Sequence, residues 1–584
     1  MIAARIARCL ATVTAIAAIL GAGPAPARQD SPAALRAEAW EAAQWAIASD
    51  AADALARVSA RFAQGDDALG RLAEEREELI ERRDRLEREL ERLYASEDAE
   101  ALANRTRTRA VWEATVERLQ TVDADIDARF PAYSELTSPR ALSIAETQAL
   151  LGPDEGLLLV LVNPEATYVW GVSRERVEWA RADNLGDAAM TAAVNRLRAS
   201  LTSAGTVRGG QDVDPLLFAG PQATPFDRAT AHRLYTDLVQ PVEAAFAGKK
   251  TLISVVTGAL TALPLSVLTT AAPSGSDAAP EALAATAWLI DRYALATLPS
   301  VSSLEALRCH LVADPAQRSA GCPPRRGAVV RRAETGGARL QLAAFGAPLL
   351  TGEPTNANRG SPAADDVMGE GRLADVGKLR ALPALPGSKL ELETLKTRYP
   401  DALVRIGPEA TEHAVRADDA DALSRARFVV FSTHGLMAGS AAAEPGLVMT
   451  PPDQATEADD GYLSASEAAQ LKLNAEFVVL SACNTAASDG RPGGEGLSGL
   501  ARAFFYAGAR SVMVSHWEVS DAATTTLITS AFADLDGDRA SDPGVRARAL
   551  QAGIRAVRAE RRWAHPAYWA AFTLVGEPGQ APAF

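Results

Sequence analysis

Positive charge is what this sequence most lacks. Its 59 Lys and Arg stand against 74 Asp and Glu, a formal charge of −15 over 584 residues, and no basic stripe is interleaved with aromatic side chains. Nucleic acid is therefore not an expected partner. Beyond the first few dozen residues no apolar stretch reaches the ~18 residues that a membrane helix needs. No Cys/His spacing of the zinc type is present, and no glycine-rich loop ends in a phosphate-binding Lys, so neither a metal nor a cofactor is expected. Self-similarity at a period of about 34 residues is also missing, which argues against tetratricopeptide repeats.

Cysteine is scarce, at four residues. Met1–Ala27 has Arg5 and Arg8, an apolar run from Cys9 to Leu20, and Ala25-Pro26-Ala27. That is the three-part pattern of a secretory signal, with an uncleaved anchor as the alternative. Cleavage would leave a chain starting near Arg28 and place it outside the cytoplasm. The Ala- and Arg-rich composition points to a bacterial periplasm or to secretion. Loss of Cys9 leaves an odd number of thiols. Cys309 and Cys322 are then the expected disulfide pair and Cys483 the free thiol, against the alternative that all three stay reduced.

A chain of this length holds more than one structural unit. From residue 28 to 129 it reads as helical: after Pro32 no proline occurs until Pro131. Leu72, Leu79, Leu86 and Leu93 recur every seven residues, while Arg76 and Arg83 interrupt the second apolar position, a pattern of an antiparallel hairpin rather than a long coiled coil. Its charged face is either solvated or a dock for a protein partner. Residues 130–312 turn strand-like at Gly156–Val162, Thr167–Val172 and Leu252–Val256, with a helix near Thr230–Phe246, and read as a first, catalytically silent α/β half. Residues 313–371 are loop-rich around one strand, Leu340–Gly346, and carry the dibasic pairs Arg325-Arg326 and Arg331-Arg332. Residues 372–584 form a second half.

Chemistry is concentrated in that second half. The run Phe428–Phe431 leads through Ser432-Thr433 to His434-Gly435, and Phe477–Leu480 leads through Ser481-Ala482 to Cys483. Both runs read as strands covered on both faces, each delivering a reactive side chain at its carboxyl end, where α/β sheets bind ligands. An imidazole beside a thiol makes a nucleophile and a base. Gly435, without a side chain, lets its N–H approach a substrate oxyanion, with the Cys483 N–H as second donor. Two other motifs are set aside. Gly494–Gly499 fits a dinucleotide fingerprint but lies some ten residues beyond its strand. Asp534–Asp538 has glycine one place early for a calcium loop and lacks the closing Glu.

The segments Phe431–Gly435, Leu480–Thr485, Gly494–Val512 and Ser515–Asp521 together resemble the CHAT family, caspase-like proteins often fused to helical repeats and related to separase and, more distantly, to caspases and gingipains. The resemblance runs from about Phe130 to Glu577. His434 lies 49 residues before Cys483, close to the ~50 of caspases. What the resemblance implies is a mostly parallel sheet flanked by helices and a cysteine endopeptidase using a Cys483–His434 dyad without a cofactor, acting on a protein or peptide. The rival is a silent scaffold that recruits partners through its amino-terminal helices. The strand Ser511–Ser515 carries His516-Trp517-Glu518-Val519-Ser520-Asp521 into the same crevice, a stretch similar to the Trp-Asp-Val-Thr-Asp of separase. Glu518 and Asp521 are thus substrate-binding candidates for an Arg or Lys side chain. Asp521 is equally well placed as the N-cap of the following helix, which would leave the pocket to Glu518.

Overall fold

Apolar runs without polar alternation suit strands buried on both faces, and such runs build the centre of this protein. The computed structural model describes residues 32–47, a subset of helical positions between 72 and 93, and 99–129, 141–203, 224–310, 322, 339–352, 364–368, 373–437, 444–486, 499–535 and 543–579. Met1–Ala27, Phe130, both dibasic pairs, Gly494–Ser498 and Asp536–Asp538 lie outside the described residues.

Among the described residues fourteen strands follow in chain order: β1 (Glu155–Val162), β2 (Thr167–Val172), β3 (Val177–Ala182), β4 (Thr251–Val256), β5 (Ala294–Thr297), β6 (Leu340–Pro348), β7 (Leu403–Gly407), β8 (Ala426–Ser432), β9 (Gly435–Leu436), β10 (Gly446–Val448), β11 (Tyr462–Ser464), β12 (Phe477–Ser481), β13 (Ser511–Ser515) and β14 (Phe572–Gly576). Eleven of them make one sheet in the order β3-β2-β1-β4-β5-β14-β13-β12-β8-β6-β7, and β9, β10 and β11 make a small antiparallel one. Helices cover both faces of the large sheet, over two apolar clusters.

The large sheet is mostly parallel, but in two opposed blocks. One block runs β1, β4, β5, β14 and the other β13, β12, β8, β6, β7, each internally parallel. They meet where β13 and β14 pair antiparallel, Ser511 opposite Gly576 and Ser515 opposite Phe572. The carboxyl ends of β8, β12 and β13 therefore open at one edge of the sheet, those of β4 and β5 at the other. Residues 130–312 and 372–584 contribute strands to one sheet, with β14, from the later segment, lying against β5 of the earlier one. β6, from the loop-rich stretch, sits inside the second block. The short helix Ala364–Val367, within the segment expected to be loop, buries Ala364 and Val367 against Leu436, Val448 and Tyr462.

A buried ionic cluster spans the first block. Arg308 donates to both carboxylate oxygens of Glu155 (2.7 and 2.8 Å), to both of Glu577 (3.0 and 2.9 Å) and to the Leu150 carbonyl (2.6 Å). Glu155 opens β1 and Glu577 follows β14, so one guanidinium ties both ends of the first block. Burial opposes the Arg308 charge, and the two carboxylates outweigh it, holding the group above its ordinary value. The next residue, Cys309, is joined to Cys322 in a disulfide with its Cα atoms 5.3 Å apart.

The amino-terminal helices divide into two kinds. In the helix Pro32–Ala46, Trp40 is fully buried, donates its indole N–H to the Leu142 carbonyl at 2.7 Å and stands edge-on to Trp170 at 6.3 Å. This face belongs to the sheet's cover. Described positions between 72 and 93 lie along the helix Ala99–Arg129, with Arg76 on Asp123 (2.5 Å), Glu75 on Arg118 (2.5 Å) and Glu89 on Thr108 (3.4 Å). No described helix is long and apolar enough to cross a membrane.

Candidate active site

β8 and β12 are neighbouring parallel strands in register, and their last pair is Ser432 opposite Ser481. His434 and Cys483 each stand two residues beyond that pair, so equal register places both at the same edge of the sheet. Thr433 N–H donates to the Ser481 carbonyl at 3.3 Å, carrying the pairing one residue past the strands. Both side chains are interior, with His434 0% and Cys483 1% exposed.

Each is held by a main-chain group from another element. His434 Nε2 lies 2.8 Å from the Pro383 carbonyl oxygen. A carbonyl can only accept, so this contact places the ring proton on Nε2 and leaves Nδ1 as the basic nitrogen. Cys483 Sγ accepts the Val519 N–H at 3.3 Å. A donor aimed at sulfur orients it and stabilises negative charge there. Immediately after, Asn484 adopts φ 56°, a left-handed conformation that Asn tolerates better than most residues, and the chain turns away from the sheet.

Gly435 sits where a side chain would not fit: a Cβ there would lie 2.5 Å from the Cys483 carbonyl oxygen. It faces Leu447 of β10, and the bond from Val448 N–H to the His434 carbonyl (3.0 Å) makes that pair the non-hydrogen-bonded kind. The Gly435 N–H therefore points out of the small sheet rather than into it.

The stretch after β13 is pinned at intervals. Trp517 donates its indole N–H to the Ala567 carbonyl at 3.0 Å, and His516 Nε2 is 3.0 Å from Thr573 Oγ1. Burial, with the Arg198 charge nearby, pushes His516 down to about 3, so it is neutral. Glu518, next in the chain, is half-buried, and its carboxylate makes no ion pair among the described residues. Asp521 differs: it is 2% exposed, and its Oδ2 accepts the Gly387 N–H at 2.5 Å. It is the first residue of the helix Asp521–Leu535, whose cap position falls to Ser520, the acceptor of the Thr524 N–H at 2.9 Å. Through its bond to the Gly387 N–H the Asp521 carboxylate reaches the start of the helix Pro386–Arg398.

Four participants were missed from the sequence: Pro383, Val519, Gly387 and Glu391. The first three act through main-chain groups, which leave no residue-type signal. Glu391 is fully buried and accepts from Ser481 Oγ at 3.0 Å. A carboxylate sharing a helical face with Ser388, Leu392 and Leu395 was visible as a polar residue in an apolar stripe. Among the described residues no three His, Cys, Asp or Glu are placed to hold a metal ion.

The family model of the CHAT domain matches residues 228–577, more than half of the chain and the stretch that holds both His434 and Cys483. The chain belongs to the CHAT domain family. The CHAT match begins at Arg228 rather than near Phe130, so β1, β2 and β3 precede it, although β1 pairs directly with β4. Tetratricopeptide repeat protein 28 of Mus musculus is 35% identical over 115 residues, 20% of this chain and 4% of that protein. The Homo sapiens protein of the same name is 33% identical over 115 residues, with the same shares. This CHAT chain thus matches only a small part of the length of these curated relatives. A Saccharomyces cerevisiae separase–securin complex is similar over 77% of this chain and 31% of that one, at 10% identity and a TM-score of 0.39. A solved structure described as a protease is similar over 61% of this chain and 68% of that one, at 10% identity and a TM-score of 0.30.

Proposed function

We propose that this CHAT protein is a cysteine endopeptidase that cleaves after basic residues. The observation that carries the reading is the register-matched arrival of His434 and Cys483 beyond β8 and β12, each oriented by a main-chain group. His434 Nδ1 takes the Cys483 proton, and the thiolate attacks the scissile carbonyl carbon. The Gly435 and Cys483 N–H groups receive the developing oxyanion. His434 then protonates the leaving amine, and water resolves the thioester. Glu518, the less buried member of the carboxylate pair, pairs with an Arg or Lys side chain at the residue before the cut. The substrate is a protein or peptide, and the chemistry needs no cofactor. The Cys309–Cys322 disulfide supports an oxidising compartment outside the cytoplasm.

An electrophilic peptide ending in Arg tests this. Wild type should be modified at Cys483 and Glu518→Gln should react more slowly with that probe than with its neutral-residue counterpart. Equal rates with both probes on wild type would remove the basic preference. The burial of both dyad side chains favours a second reading, a silent scaffold acting through its amino-terminal helices. That reading predicts no modification of Cys483 by either probe while the protein is folded.

A further inference from the structure

We infer that Asp521 is a positioning residue that locks the His434-orienting contact to the Cys483-orienting contact; the inference rests on the dyad reading above. Pro383, whose carbonyl accepts the hydrogen bond from His434 Nε2–H, precedes the helix Pro386–Arg398 by three residues. Val519, whose N–H reaches the Cys483 sulfur, precedes the helix Asp521–Leu535 by two. The two orienting groups thus sit on separate elements, and nothing in either contact alone fixes the distance between them.

Gly387 supplies the link. Its N–H donates to Asp521 Oδ2 at 2.5 Å, and its carbonyl accepts from Thr525 Oγ1 at 3.0 Å, one turn further along the same helix. Both ends of one peptide-bearing residue are gripped by the helix that follows Val519. The approach requires glycine: a Cβ on Gly387 would lie 2.3 Å from Asp521 Oδ2. One turn beyond Gly387, Glu391 accepts from Ser481 Oγ at 3.0 Å, two residues before Cys483. The first two turns of Pro386–Arg398 are therefore tied to the strand that presents the nucleophile and to the helix that orients it. A slip of one helix against the other separates the His434 acceptor from the Cys483 donor, and the dyad with it. With its carboxylate on Gly387 and 2% exposure, Asp521 acts on the dyad through geometry and not by touching substrate.

The experiment is alkylation of Cys483 by iodoacetamide across pH, read by site-resolved mass spectrometry on the full chain without reductant, together with kcat and KM for peptides with Arg and with neutral residues before the cut. A small neutral reagent needs no specificity pocket, so a purely substrate-binding carboxylate would not affect it. Asp521→Ala and Gly387→Ala should each slow alkylation near neutral pH by about 10-fold, the scale of a sub-ångström misplacement of reacting groups. They should also move the pH profile upward and lower kcat equally for all peptides. Asp521→Asn, which keeps an oxygen for the Gly387 N–H, should recover most of the rate. An unchanged alkylation profile, with losses confined to KM for Arg peptides, would overturn the inference and return Asp521 to the pocket. If Asp521→Ala does not fold, Asp521→Asn against Gly387→Ala makes the same comparison. Wild-type Cys483 that resists iodoacetamide at every pH while folded would sink the dyad reading and this inference together. Wild type that reacts at the same rate as both alanine variants would sink this inference alone.

Discussion

The two parallel blocks of the sheet share one kind of strand and part company just past its end. β4 in the first block and β12 in the second are buried along nearly their whole length. β4 runs into Thr257, whose hydroxyl accepts the Val162 N–H at 2.8 Å and donates to the Val160 carbonyl at 3.3 Å. That strand end closes on its own neighbour, β1, and leaves no reactive group pointing elsewhere. β8 and β12 instead run into His434 and Cys483, whose polar atoms reach main-chain groups on other elements. Burial and strand composition build the frame in both blocks. Chemistry depends on the second residue after the last pair.

Substitution at the dyad gives the sharpest contrast. Cys483→Ala and His434→Ala should each lower turnover on the order of 10³-fold or more, and the double variant should be little worse, because the pair acts as a unit. Melting temperatures should stay near wild type. Peptide turnover by Cys483→Ala at the wild-type rate would erase the distinction between the blocks. Next in size is the tie between the two ends of the first block. Arg308→Ala leaves Glu155 and Glu577 buried without their cation and should cost about 3–5 kcal/mol. Calorimetry should still show one transition, since β14 is shared; two transitions would mean that the blocks are separate folding units.

Acid probes the seam in a milder way. Burial lowers His565 to about 4 and, with Arg198, His516 to about 3, from an ordinary 6.5. Between those values the unfolded chain binds the protons that the folded one refuses, so stability is complete above about pH 6.5 and falls as pH drops toward 4. His565→Gln should flatten that fall in a pH series of melting temperatures; an unchanged slope would show that His565 titrates normally. Thr257→Val is the smallest effect expected. Losing both hydroxyl bonds at the silent strand end should cost about 1–2 kcal/mol and leave kcat/KM unchanged. A drop in activity would show that the first block contributes to catalysis.

Much of the frame is legible because strands covered on both faces have a strong composition. Leu252–Val256, Phe428–Phe431, Phe477–Leu480 and Ser511–Ser515 each coincide with a strand to within a few residues. His434 and Cys483 could be found because two matching runs end two residues short of them. The place of β14 could not. Phe572–Gly576 is a short run like many others, and its pairing with β5 and β13 joins residues far apart in the chain. The burial of Trp40 was hidden for a related reason: a helix rich in Ala and Glu reads as solvated until a partner 130 residues away, Trp170, covers it. Asp521 was legible as a carboxylate near the dyad but not in its direction, because Gly387 lies 134 residues upstream and offers only an amide.

The central position of β14 also bears on how the chain is made. Synthesis proceeds from the amino terminus at roughly 5–20 residues per second, so the roughly 275 residues between the end of β5 and the start of β14 take on the order of fifteen seconds to a minute to add. Throughout that interval β5 has a partner on only one side, and once β13 has emerged it too waits for its second neighbour. Unpaired apolar strand edges are templates for association with other chains. The nascent protein therefore passes through a stage in which both blocks are present, neither is sealed, and a chaperone that shields strand edges has its greatest effect on yield.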